Sequence, residues 1–166
     1  MKKRDFDIAF RGLALGQHEF QYDLDDTFFT LFEYSDYRGL RGTTELKMLK
    51  SETVLDLELH FAGSIEVPCD ITNEIYTQAL KNSFVMQIKF GDEYNDENEE
   101  LLILPHGNYQ FNAAQMLYEL VVLSIPSKLL GPNASNGLED LIEEEEDETE
   151  EKTDPRWDQL KNLLNK

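Results

Sequence analysis

The side chains that most often carry out enzyme chemistry are few and scattered in this sequence. Its three histidines, His18, His60 and His106, lie in three different stretches, and its single cysteine, Cys69, has no positively charged neighbour in the sequence. Because catalytic groups work in interacting sets, this scatter does not predict a reaction centre. Nucleophile elbows, phosphate-binding glycine loops and paired-histidine zinc motifs are absent from the sequence. We therefore expect no enzyme, no cofactor and no metal ion.

The cysteine count and the start of the chain both bear on its compartment. A lone cysteine cannot form an internal disulfide, and most lone cysteines are small buried apolar residues. We interpret Cys69, between Pro68 and Asp70, in this way. No run of about 18 apolar residues could span a membrane, and Asp5 and Asp7 interrupt the apolar stretch that a signal peptide needs. We expect a cytoplasmic protein without a membrane partner.

Acidic residues dominate the charge of the chain. The sequence has 34 Asp and Glu against 15 Lys and Arg, a net charge of −19. Two runs without a base, 92–100 (DEYNDENEE) and 139–151 (EDLIEEEEDETEE), hold 16 of these acids, and the remaining 18 nearly balance the bases. Such runs are either a solvated, disordered loop and linker or a binding surface for something basic. In both cases the protein is a poor general binder of nucleic acid, because phosphate contact needs Lys and Arg.

A pattern that predicts a helix lies beyond the longer acidic run. Asp154 suits the N-cap and Pro155 the first helical position, and the apolar residues that follow form one stripe with basic residues beside it. The segment could fold back onto the body, or it could be a tethered helix that binds in a partner's groove. We favour binding to a partner, because a helix that only docked on the adjacent body would not need so long an acidic linker. The predicted partner-binding residues are Asp154, Pro155, Arg156, Trp157, Leu160 and Leu164.

A small basic cluster lies in residues 38–50, which hold four bases and one acid, Glu45. These bases could contact RNA or a particle that contains it, or they could be ordinary solvent-facing charges on a strand and loop. The candidate contact residues are Arg38, Arg41, Lys47 and Lys50.

The elements that must position these residues are mostly strands. Apolar residues alternate with polar ones at 20–24, 44–48, 55–61 and 84–90, which predicts half-buried strands. We also predict a strand at 6–10, a loop at 35–42, a break, bulge or turn at Gly63 and a buried strand at 101–104. A short helix, or another strand, is expected after Asp25. A helix is expected over 112–125, where Asn112 and Gln115 suit a capping box and the apolar residues cover almost all sides.

These elements predict an α+β fold dominated by an antiparallel sheet, which could curl into a barrel. The sheet and one buried helix form a single domain over residues 1–130. Residues 131–153 form an acidic flexible linker, and residues 154–166 form a C-terminal amphipathic helix. The sequence leaves the oligomeric state open.

An ordered set of segments carries a resemblance to a known family. The segments are DLDDTFFTLFE, HFAGSIEVPCD, VMQIKFGDEYND, ILPHGNYQFNAAQMLYELVVLSIP and the terminal DPRWDQLKNLL. Together they resemble the YceD-like large-subunit ribosomal RNA accumulation proteins, most closely the Bacteroidetes-type branch. The family often has Cys-Asp-Arg-Cys where this chain has Cys69-Asp70-Ile71-Thr72. Because the second cysteine is absent, the remnant Cys69 and Asp70 predict no metal or thiol pair.

The resemblance implies a cytoplasmic, non-enzymatic factor needed for normal levels of 23S ribosomal RNA. The family's gene often lies beside that of a large-subunit ribosomal protein, which suggests a role in assembly or escort. The implied partners are a large-subunit ribosomal protein or a pre-ribosomal particle, with indirect or limited contact to rRNA. An RNA-processing enzyme would need a clustered site that the sequence does not show.

Overall fold

The computed structural model describes residues 1–98 and 100–134. This part of the chain begins with a 3₁₀ helix, Lys3–Phe6, and contains two α-helices, α1 (Asp26–Thr30) and α2 (Ala114–Val122). Its strands are β1 (Asp7–Ile8), β2 (Gly16–Asp25), β3 (Arg38–Lys50), β4 (Val54–Pro68), β5 (Ile75–Gly91), β6 (Asn95–Asn98), β7 (Leu101–Pro105) and β8 (Phe111–Asn112). The second acidic run and the segment 154–166 lie outside the described residues.

Six strands form one open sheet in the order β2-β3-β4-β5-β7-β6, and β1 pairs with β8. The prediction of an α+β fold built on a sheet is confirmed. Antiparallel pairs dominate the sheet, as predicted, and one pair, β5 with β7, is parallel. The chain reverses direction between β5 and β6 and again between β6 and β7. Strand β7, which lies between β5 and β6 in the sheet, therefore runs in the same direction as β5. The described strands do not close into a barrel, because β2 and β6 are sheet edges.

The long strands bury alternate side chains on one face of the sheet, called the inner face here. In β4, Leu55, Leu57, Leu59 and Phe61 are buried, as their spacing predicted. Helix α2 packs against β4 and β5, and α1 packs against β2 and β3. The opposite, outer face carries the polar side chains of β2 to β5.

Strand β4 continues through Gly63, so the predicted break there is wrong. Gly63 lies opposite Gly42 of β3. A Cβ on Gly63 would lie 2.6 Å from the carbonyl oxygen of Arg41 and 2.8 Å from Cζ of Phe61. Glycine is required here because two strands and an aromatic ring approach one another closely, and it does not end the strand.

Three further local predictions are corrected. The strand expected at 6–10 is shortened to the two-residue β1, because Phe6 ends the 3₁₀ helix and only Asp7 and Ile8 pair with β8. The loop expected at 35–42 ends early, because β3 begins at Arg38, opposite Glu66 of β4. Part of the acidic run 92–100 is not a disordered loop but the exposed edge strand β6, because pairing with β7 satisfies its backbone groups.

The N-cap predicted for α1 is present, whereas the capping box predicted for α2 is not. Asp25 caps α1 as expected, since its carboxylate accepts a hydrogen bond from the Thr27 N–H at 2.9 Å. Helix α2 is shorter than predicted, but Asn112 still accepts a hydrogen bond from its first N–H, on Ala114, at 3.0 Å. The capping box is wrong, because the Gln115 amide bonds to Glu119 instead. No helix among the described residues has the length and apolar character to cross a membrane.

Candidate functional site

The four bases of residues 38–50 all lie on β3, but they do not form one patch. Arg41 and Lys47 share the outer face, six residues or about 20 Å apart along the strand. Arg38 lies beyond a register shift in the pairing of β3 with β4. Lys47 stands between Glu19 of β2 and Glu58 of β4, its partners in the sheet register. These flanking carboxylates weaken the attraction that Lys47 could exert on a phosphate.

Lys50 has an anchoring role within the fold. Its ammonium group donates hydrogen bonds to the carbonyl oxygens of Phe10 and Leu13, at 2.8 and 2.6 Å. These bonds fix the N-terminal stretch against the end of β3. A charge engaged in this way is not free to contact RNA without giving up two charge-assisted hydrogen bonds.

The remnant Cys69-Asp70 begins the loop 69–74 between β4 and β5, called the Cys69 loop here. The Asp70 N–H donates to the Leu129 carbonyl at 2.7 Å, and the Asp70 carboxylate accepts from the Leu129 N–H at 2.8 Å. The Gly131 N–H donates to Sγ of Cys69 at 3.3 Å. The Cys69 loop therefore holds the chain where it leaves α2 and enters the segment assigned to the linker.

Cys69 is buried, as expected for a lone structural cysteine. The Thr72 hydroxyl and the backbone N–H groups of Thr72, Gly131 and Ile71 hydrogen-bond to its sulfur and lower the pKa of Cys69 to about 7. Hydrogen-bond donors rather than a positive charge therefore favour the thiolate, and the burial of the sulfur is typical of a structural role.

An open groove of about 640 Å³ runs beside α2 and is called the α2 groove here. Its apolar lining comes from β5, β7 and α2, and the far wall comes from the stretch 94–98, which includes β6. The apolar residues that line it are Phe84, Met86, Leu102, Met116, Leu120, Val122 and Leu123. The groove is thus bounded by a helix on one side and the edge of the sheet on the other.

The α2 groove exists because the described body covers only one side of α2. Leu117 and Leu120 are buried, but Leu123 is 77% exposed and Met116 and Val122 are only half-buried. The prediction of a helix buried on almost all sides is therefore wrong on the groove side. An apolar surface of this kind on a protein commonly marks a contact site.

Acidic groups lie on both walls of the α2 groove. Glu119 stands on the helix wall, and Asp96 stands on the β6 wall, where it accepts a hydrogen bond from the Tyr94 hydroxyl at 3.0 Å. Asp92 and Glu93, just before β6, extend the negative charge at this edge of the sheet. The groove thus has an apolar lining between two acidic walls.

The histidines are as dispersed in the fold as in the sequence. The ring of His18 hydrogen-bonds to the Ala14 carbonyl, the ring of His60 lies 2.8 Å from the Glu58 carboxylate, and His106 lies in a turn after β7. Within residues 1–98 and 100–134, no three His, Cys, Asp or Glu side chains gather as metal ligands would.

The sequence did not single out the α2 groove, although one signal pointed to it. Its residues come from strands and a helix that are far apart in the chain, so no local spacing brings them together. The signal was the apolar character of α2 on nearly every side, which needs more cover than one sheet provides. The predicted partner-binding residues Asp154, Pro155, Arg156, Trp157, Leu160 and Leu164 lie outside the described residues.

The fold is that of a small α+β protein with an open apolar groove in its described part. A family model for the large ribosomal RNA subunit accumulation protein YceD matches residues 57–164. Because the match covers more than half of the chain, the protein belongs to the YceD family. The matched range includes the Cys69 loop, α2 and most of the segment 154–166. Searches of curated proteins and of solved structures gave no match.

Proposed function

We propose that this protein is a non-enzymatic factor in the biogenesis of the large ribosomal subunit, needed in the cytoplasm for normal levels of 23S ribosomal RNA. The observation that carries the proposal is the family match over residues 57–164. The protein acts by binding a large-subunit ribosomal protein or a pre-ribosomal particle.

The charge of the chain supports a protein partner over naked RNA. A net charge of −19 repels phosphates, whereas opposite charge speeds the encounter with a basic ribosomal protein. The bases of β3 offer little compensation, since Lys50 is engaged with backbone carbonyls and Lys47 stands between two carboxylates. Contact with rRNA is therefore indirect or limited to a few residues.

The contact elements in this proposal are the acidic runs and the apolar stripe of the segment 154–166. Acidic runs attract a basic partner at long range, and burial of Trp157 and Leu160 provides specificity at short range. The high net charge also favours a second candidate function, in which the protein escorts one free basic ribosomal protein away from the ribosome.

Affinity purification from the protein's own cells separates the two functions. A tagged protein is recovered at low and at high salt, and the bound protein and RNA are identified. Recovery of large-subunit rRNA with many ribosomal proteins supports action on the particle. Recovery of one basic ribosomal protein without RNA, lost at high salt, supports the escort function. Recovery of no ribosomal component at either salt concentration would contradict both.

A pair of double variants tests the contact role of the segment 154–166. Trp157→Ala with Leu160→Ala should reduce recovery of the partner, because it removes the tryptophan and one leucine of the stripe. The matched control, Gln159→Ala with Asn162→Ala, changes polar positions of the same segment and should retain recovery. Circular dichroism of both variants verifies that the body remains folded. Equal recovery with both double variants would show that the stripe is not a contact.

A further inference from the structure

We infer that, in the free protein, the α2 groove is occupied by the chain's own residues 154–166. The inference does not rest on the proposed function, because it concerns the protein without a partner. It starts from the uncovered side of α2, where Leu123 is 77% exposed beside the half-buried Met116 and Val122.

The apolar stripe of the segment suits this groove. In a helix, Trp157, Leu160, Leu163 and Leu164 lie on one side, because residues three, four and seven apart share a face. A helix of about 12 residues is marginal alone in water and gains its stability by packing such a face. Packed beside α2, it would extend the helical layer over β5 and β7, where the α2 groove now lies open.

The charges of the segment and of the α2 groove are complementary. Residues 154–166 hold three bases, Arg156, Lys161 and Lys166, against two acids, Asp154 and Asp158. At 100° per residue, Lys161 lies at one edge of the apolar stripe, and Arg156 lies within it, between Leu160 and Leu163. The α2 groove has Glu119 on its helix wall and Asp96 on its β6 wall, so a helix seated in the groove brings these two bases close to carboxylates.

The described chain ends on the groove side of the sheet, close enough for residues 154–166 to reach the α2 groove. A Cβ on Gly131 would lie 3.1 Å from the ring of Tyr76, which lies on the same face of β5 as Phe84 in the groove. Eight residues along a strand separate the two rings by about 26 Å. Residues 135–153 number 19 and can span up to roughly 65 Å, with a root-mean-square length near 25 Å for a flexible chain. This connection holds the segment at a high local concentration over the groove.

Fluorescence of the full-length chain tests the inference, because Trp157 is its single tryptophan. In the free protein we expect emission at shorter wavelength, and weaker quenching by acrylamide, than in a synthetic peptide of residues 152–166. Leu123→Lys should move both quantities to the values of the peptide, because it places a positive charge in the groove beside a basic segment. Asp96→Lys with Glu119→Lys should move them in the same direction.

The matched control is Leu49→Lys, the same change at a residue that is 51% exposed on the outer face. It should leave the fluorescence of Trp157 as in the unmodified chain. Emission and quenching equal to those of the peptide in the unmodified chain would overturn the inference. So would a protected Trp157 that Leu123→Lys does not release, because the segment would then be bound elsewhere.

Dilution separates docking within one chain from docking on a second copy. The fluorescence should not change on dilution if the segment binds its own groove. Release of Trp157 on dilution would overturn the inference in favour of exchange between copies. None of these results depends on whether a ribosomal partner is recovered from cells, so the two proposals fail independently.

Discussion

Asp70→Ala should destabilise the protein at the point where the chain leaves α2. The substitution removes the carboxylate that accepts a hydrogen bond from the Leu129 N–H at 2.8 Å, but it keeps the backbone bond to the Leu129 carbonyl. Leu129 is 5% exposed, so its N–H has little access to water as a substitute. A hydrogen bond to a charged group contributes about 1.5–3 kcal/mol, and the exposure of Asp70 places it near the lower value. For a chain of this size, about 1.5 kcal/mol lowers the Tm by about 3–6 °C.

The assay is thermal unfolding followed by circular dichroism, together with hydrogen exchange of the Leu129 amide. Asp70→Asn retains an acceptor oxygen and should lose roughly half as much stability, because a neutral hydrogen bond is about half as strong. Asp92→Ala, a change of the same charge at an exposed residue, serves as the control. The reasoning is refuted if Asp70→Ala unfolds at the same temperature as Asp92→Ala and leaves exchange at Leu129 unchanged.

Two further predictions concern the fold. Gly63→Ala should lower the free energy of unfolding, measured in urea, by about 1–3 kcal/mol, because its Cβ would lie 2.6 Å from the Arg41 carbonyl oxygen. The control Gly107→Ala, whose Cβ would have nothing within 4 Å, should lower it much less, and equal losses would contradict the close approach at Gly63. Hydrogen bonds lower the pKa of Cys69 from 9.0 to about 7, so the stability that its thiolate contributes is fully present above pH 9 and is lost as the pH falls through 7. The urea midpoint should therefore rise more between pH 7 and 9 than it does for Cys69→Ser, and parallel profiles would show that the thiolate is not stabilised.

The sequence predicted the elements whose signals are local. Alternation over 55–61 identified β4, and an acidic residue before an apolar run identified the cap of α1 at Asp25. Both signals lie within a few residues of the structure they describe. The run 101–104 was also identified as a buried strand, and a continuous apolar run is typical of strands with parallel neighbours.

The sequence failed where pairing between distant segments decides the structure. Either of two short strands, β6 or β7, could lie next to β5, and that choice determines the one parallel pair among the described strands. Charge repulsion argued against a strand in the run 92–100, but hydrogen bonds to β7 stabilise β6 there. Gly63 resembled a break because a close approach to β3 cannot be inferred from one strand alone.

The candidate site, too, was predictable from the sequence only where its signals are local. Cys69 and Asp70 were singled out from the sequence, but their role in holding Leu129 and Gly131 depends on residues about 60 positions further along the chain. The α2 groove combines residues from α2, β5, β7 and the stretch 94–98, and no sequence window contains them all. Only the apolar excess of α2 was visible in advance.

The two proposals are coupled through one apolar stripe, because Trp157 cannot occupy the α2 groove and a partner at the same time. A short connection gives an effective concentration of about 1 mM. If the groove binds the separate segment with a Kd of about 0.1 mM, the bound state exceeds the free state by roughly tenfold, and the apparent affinity for a partner falls by the same factor. Opening the groove with Leu123→Lys would then strengthen partner binding, whereas truncating Trp157 would weaken it. Changes of opposite sign in partner affinity for these two substitutions would show that the segment exchanges between the groove and the partner. A segment that binds only one of them would not give this result.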